Sequence, residues 1–134
     1  MIEHGAKYLI VDDNRADVEI AFFDFKENRL EIDFHISDDG ERALSYLFGE
    51  NGSLKIKPPE VIFLDIHLGK ITGLDLLQII RSHPQTKDIP IVVMESSNSP
   101  REHAECERLG VKRFIEKPLD YANFMSAIKD INKD

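Results

Sequence analysis

Asp12 and Asp13 follow the apolar run Tyr8-Leu9-Ile10-Val11, and Asp65 follows the apolar run Val61-Ile62-Phe63-Leu64. Carboxylates at adjacent strand ends are costly to hold together, since two like charges ~4 Å apart repel by about 4 kcal/mol at an effective dielectric of 20. A hard divalent cation relieves that repulsion, and an oxygen-only ligand set favours Mg²⁺ with several retained waters. A single aspartate ending a strand is usually a turn former. A pair and a third meeting at one spot read instead as a metal-assisted site. Lys117-Pro118 closes the run Arg113-Phe114-Ile115-Glu116. There the ammonium can pair with a carboxylate or a phosphoryl oxygen, and the proline can shape the loop through a cis peptide.

The elements that must position these residues alternate short apolar strands with helical stretches, five times over. Asn14 caps a helix in which Val18, Ala21, Phe22 and Phe25 recur at helical spacing. Ile32, Phe34 and Ile36 alternate with Asp33 and His35, which predicts a half-buried edge strand. A short helix follows with Ala43, Leu44, Leu47 and Phe48 inward, and residues 50–59 read as an exposed loop. Val61 to Leu64 is wholly apolar, as suits a central parallel strand covered on both faces. Leu76, Leu77 and Ile80 mark the next helix, stopped near His83-Pro84. Ile91 to Met94 forms the fourth strand and Arg113 to Glu116 the fifth, with a polar helix over 101–109 between them, closed by Gly110. The last helix starts near Asp120 and carries Phe124, Ile128 and Ile131 on its inner side.

Five such units predict an α/β domain with a five-stranded parallel sheet, because right-handed crossovers place helices on both faces. One strand alternates while the central ones do not, which favours the order 2-1-3-4-5. In that order ligands bind outside the carboxyl ends of strands 1 and 3, where Asp12, Asp13 and Asp65 fall. The last helix nearly reaches Asp134, and the expectation is one domain over 1–134 without an output domain.

Composition narrows the function classes. A formal charge of −8 argues against a nucleic-acid surface and against adsorption to anionic lipid. No apolar run approaches the ~20 residues of a membrane span, and residues 1–7 lack a basic-then-apolar leader. The one cysteine, Cys106, excludes an intrachain disulfide and fits a reducing cytoplasm; it reads as a small side chain partly buried on a helix.

Val11-Asp12-Asp13-Asn14, Phe63-Leu64-Asp65-Ile66, Gly73 and Glu116-Lys117-Pro118 together resemble the CheY-like receiver domains of bacterial response regulators, from Tyr8 to Ile131. The long 50–59 loop and the run Val11 to Asp17 look like the small regulators serving phytochrome-type histidine kinases. The resemblance implies a flavodoxin-like three-layer (βα)5 fold and a stand-alone, cytoplasmic member of a phosphorelay. In it, Asp65 accepts a phosphoryl group from a sensor histidine kinase. Asp12, Asp13, Asp65 and the backbone carbonyl of His67 hold Mg²⁺, Asp13 more directly than Asp12. Lys117 stabilises the acyl-phosphate oxygens, and Phe114 stands at the aromatic switch position. The kinase or a phosphotransfer domain would dock near Asp65 against the first helix. Self-association through the fourth helix, fifth strand and fifth helix is a further implication. Such a protein is a switch assisting its own phosphorylation and dephosphorylation rather than a turnover enzyme.

Two positions depart from the pattern. Receivers end the fourth strand with Ser or Thr, and counting back from Lys117 that position is Glu95. Glu95 can turn outward while Ser96 supplies the hydroxyl. It can pair with Lys117 and weaken phosphorylation, or take a direct part by mimicking the signal. Phe114 can rotate inward on signalling or serve as a fixed core aromatic. Gly69, where many receivers have Pro, loosens the loop holding His67.

Rival readings are a pseudo-receiver that binds partners without phosphorylation, a flavodoxin-like cofactor protein and an aspartyl phosphohydrolase. Glu95 favours the first, and Asp13, Asp65 and Lys117 oppose it. A flavin phosphate needs a Ser/Thr/Gly-rich first loop, which here opens with two aspartates. The hydrolase needs an acid two residues after the nucleophile, where His67 stands.

Overall fold

The computed structural model describes residues 4–95 and 99–133. Its elements are β1 Tyr8–Val11, α1 Arg15–Glu27, β2 Phe34–Ser37, α2 Gly40–Leu47, β3 Val61–Asp65, α3 Gly73–Ser82, β4 Ile91–Glu95, α4 Pro100–Arg108, β5 Arg113–Glu116 and α5 Tyr121–Asn132. All strand pairs are parallel, in the order β2-β1-β3-β4-β5. This is the flavodoxin-like (βα)5 arrangement that the alternation of elements predicts.

Side chains alternate across the sheet, so each central strand feeds two cores. Leu9, Val11, Ile62, Leu64 and Val93 pack with Leu47, Leu76, Leu77, Ile80 and Cys106 on the α2, α3 and α4 side. Tyr8, Ile10, Phe63, Val92 and Met94 pack with Ala21, Phe25 and Phe124 on the α1 and α5 side. Phe124 is fully buried and touches four aromatic rings, meeting Tyr8 edge-on at 5.4 Å and lying 5.3–5.5 Å from Phe25, Phe34 and Phe63. Phe124→Ala leaves a cavity at that junction and should cost about 3–5 kcal/mol. Urea unfolding checks this, and a loss below ~1 kcal/mol would deny Phe124 its place as the keystone.

The helix signals hold. Asn14, Thr72, Ser99 and Asp120 accept from the N–H three residues on, and Gly110 takes a positive φ of 84° after α4. Two expectations need correction. Residues 50–59 are not a wholly exposed loop: Leu54 bridges back to Phe48, Lys55 N–H donates to the Leu47 carbonyl, and Leu54 and Ile56 enter the core. The alternation Leu54-Lys55-Ile56 carries that information, hidden between the Gly, Ser and Pro residues around it. In β2, Phe34 packs among Phe22, Phe25 and Phe124, whereas Ile36 is exposed because it opens onto a cleft lined by Arg15 and Val18.

Cys106 is fully buried, and burial beside Glu95, Glu102 and Glu105 pushes its thiol up to about 11, which leaves it inert near neutrality.

Candidate functional site

Sheet register decides where the acidic residues meet. Val11 stands opposite Leu64 and Asp65 opposite Met94, so Asp12 and Asp65 leave neighbouring strands at the same level. Glu95 stands opposite Glu116, which brings Lys117 to that level from the far side of β4. The Lys117-Pro118 peptide is cis, the shape of turn expected there. Lys117 N–H donates to the Glu95 carbonyl at 2.7 Å, fixing where the lysine leaves the strand.

Carboxylate oxygens of Asp12, Asp13 and Asp65 lie within 4.8 Å of one another. Asp12 and Asp65 are buried, at 5% and 2% exposure, and Asp13 is exposed. Lys117 Nζ donates to Asp65 Oδ2 at 2.9 Å and to Asp12 Oδ1 at 3.0 Å, and lies 3.1 Å from Asp17 Oδ2. Asp17 escaped the sequence reading because an acid in a first helical turn looks like ordinary helix capping.

Backbone groups orient the carboxylates. Asn14 N–H donates to Asp12 Oδ1 at 2.9 Å, and the Asn14 side chain accepts from Asp17 N–H at 3.1 Å. His67 N–H donates to Asp65 Oδ1 at 2.9 Å, leaving the other oxygen to Lys117. Gly73 N–H donates to the Ile66 carbonyl at 3.1 Å, and a Cβ at Gly73 would lie 2.5 Å from Ile66 Cα and 2.6 Å from the Asp65 carbonyl. Any larger residue there pushes on the backbone carrying Asp65. At Gly69 a Cβ would meet nothing, so sterics do not demand glycine there.

Burial raises the Asp12 carboxyl above its ordinary 3.8, against the pull of the Asn14 N–H and Lys117, and the Asp65 charge adds to the rise. Burial alone would lower the Lys117 ammonium, but hydrogen bonds to Asp65, Asp12 and Asp17 outweigh it and hold it above its ordinary 10.5. One ammonium thus holds three carboxylates, with Asp13 clustered beside two of them. The donor set is oxygen-only, clustered and under-compensated, which fits a hard divalent cation.

The remaining predicted residues lie around the rim. The Glu95 carboxylate sits 3.4 Å from His103 Nδ1, not at Lys117, so the Glu95–Lys117 pairing is not formed. Phe114 is half-buried against the α2–α3–α4 core and stacks on the His103 ring at 3.7 Å and 20°. The His67 side chain meets Glu102 of α4 at 2.9 Å. Ser96 lies outside the described residues.

The model of the response regulator receiver domain family matches residues 8–129. The chain belongs to that family. This receiver is 29% identical over 115 residues to Two-component response regulator ORR1 of Oryza sativa subsp. japonica, covering 84% of the chain and 49% of the relative. It therefore spans about half the length of that curated relative. It is 27% identical over 124 residues to Response regulator Rcp1 of Synechocystis sp., covering 92% of the chain and 84% of Rcp1. Among solved structures, Bacteriophytochrome response regulator RtBRR superposes with a TM-score of 0.77 at 32% identity, covering 98% of this receiver and 78% of RtBRR. No helix among the described residues of the receiver is long and apolar enough to cross a membrane.

Proposed function

We propose that this receiver accepts a phosphoryl group from a histidine kinase onto Asp65. The carrying observation is Lys117 Nζ set 2.9–3.1 Å from Asp65, Asp12 and Asp17, beside three clustered carboxylates. In the transfer, the P–N bond of a kinase phosphohistidine breaks and an O–P bond forms at Asp65. The imidazole keeps the electron pair and takes up a proton. Asp65 is aligned for attack by the His67 N–H, and Lys117 neutralises the acyl-phosphate oxygens. Mg²⁺ when bound supplies further charge neutralisation, and Asp12, Asp13, Asp65 and the His67 backbone carbonyl are the groups that would hold it. Nothing in this set needs a base, because a carboxylate is already an adequate nucleophile for a loose transition state.

The likeness to RtBRR, a bacteriophytochrome response regulator, supports a phytochrome-type kinase as the donor, and the reading places the exchange in the cytoplasm. Self-association through α4, β5 and α5 belongs to the same reading, since β5 is an edge strand.

Incubation with a small acyl-phosphate donor and Mg²⁺ tests the proposal. Intact-mass spectrometry should show one added phosphoryl group, and chelation with EDTA should slow uptake roughly 100-fold or more. The second reading, a pseudo-receiver, rests on Glu95 in the hydroxyl position; no uptake with Mg²⁺ present would establish it and remove the first.

A further inference from the structure

Glu95 occupies the position from which receivers contact the new phosphoryl group, and an unrestrained carboxylate there would both compete for Lys117 and repel the incoming dianion. The structure shows what restrains it. His103, on the first turns of α4, brings Nδ1 to 3.4 Å from Glu95 Oε1 and Nε2 to 3.6 Å from Glu107 Oε1. Its ring lies flat on Phe114 at 3.7 Å, which fixes the plane in which the nitrogens point. The His103 N–H donates to the Ser99 carbonyl at 2.9 Å, anchoring that helix start. The Glu95 side chain is only 21% exposed, so it needs a polar partner, and Lys117 is already committed to three aspartates.

We infer that His103 is a positioning residue that draws the Glu95 carboxylate away from Lys117 and so leaves room for the phosphoryl group on Asp65. This rests on the function proposed above. Glu95, His103 and Phe114 form a contiguous set spanning β4, α4 and β5, in the place where other receivers use a hydroxyl and an aromatic. A histidine serves here because it combines a planar face for stacking with an edge nitrogen for the carboxylate.

The test is a cycle of phosphoryl uptake rates from an acyl-phosphate donor with Mg²⁺. His103→Leu keeps an apolar contact for Phe114 but removes the ring nitrogens, and uptake should fall about 10-fold or more. Glu95→Thr should retain uptake at least equal to the wild type. The double variant His103→Leu with Glu95→Thr should return to the Glu95→Thr rate, which a merely structural role for His103 would not produce. In the unmodified protein, Glu95→Gln should also move the His103 ring nitrogen signals in NMR spectra. An unchanged rate in His103→Leu, or a double variant as slow as His103→Leu, overturns this inference alone. No uptake by the wild type overturns the proposed function and this inference with it.

Discussion

Asp65→Asn will take up no phosphoryl group under conditions that modify the wild type to completion. Asparagine is nearly isosteric, and its carbonyl oxygen can still accept the His67 N–H that holds Asp65 Oδ1 at 2.9 Å. What disappears is the anionic oxygen that Lys117 holds at 2.9 Å and that must form the new O–P bond. A neutral amide oxygen is far too weak a nucleophile, so the effect is loss rather than attenuation. The substitution also removes one of three carboxylates gathered on one ammonium, so folding should not suffer. Circular dichroism verifies the fold, and intact mass reads the modification. A phosphoryl group gained by Asp65→Asn would move the acceptor elsewhere and end the assignment.

Lys117→Met should destabilise the metal-free protein by about 3 kcal/mol near pH 7, because it strands the buried carboxylates of Asp12 and Asp65 without their ammonium. The lysine side chain is itself only 7% exposed, so solvent screens the cluster poorly. Because the folded Lys117 is held above its ordinary 10.5, its contribution is complete below that pH and is lost only as pH rises through the folded value. At pH 7 the substitution therefore removes all of it. Asp12 carries the same sign in a lower pH window. Its folded carboxyl is raised above 3.8, so its contribution is complete below 3.8 and is lost as pH rises through the folded value. The penalty in Lys117→Met should accordingly shrink as the solution is acidified toward the carboxylate range. Added Mg²⁺ should also recover part of it at pH 7. Urea midpoints at pH 7 and pH 5, with and without MgCl₂, check each statement. An unchanged midpoint at pH 7 would show that Lys117 does not carry the charge balance of the site.

These two substitutions touch residues that could be picked from the chain before any coordinates. Asp12 and Asp65 each end an apolar run and Lys117 follows the run Arg113 to Glu116, and such runs in an alternating α/β chain are strands whose ends lie at one rim of the sheet. Local pattern and global place coincide there. Asp17 and His103 had no such mark. Asp17 meets Lys117 across a separation of 100 positions, and His103 meets Glu95 and Phe114 only because α4 packs beside β4 and β5. On a polar helix such as 100–108, one more polar residue is indistinguishable from solvated surface. Leu54 and Ile56 failed for a related reason: two apolar residues amid Gly, Ser, Lys and Pro fall short of any period, and only a core to receive them makes them buried.

The amino-acid sequence by itself determined the element order, the parallel sheet and the level at which three acids and a lysine would gather. It could do so because period, caps and strand ends are local properties, repeated over short windows. Tertiary structure alone decided which carboxylates share the ammonium, where Glu95 points and what holds it there. Those outcomes depend on pairwise distances between remote segments, and a change of one or two ångströms at the rim separates an ion pair from a repulsion.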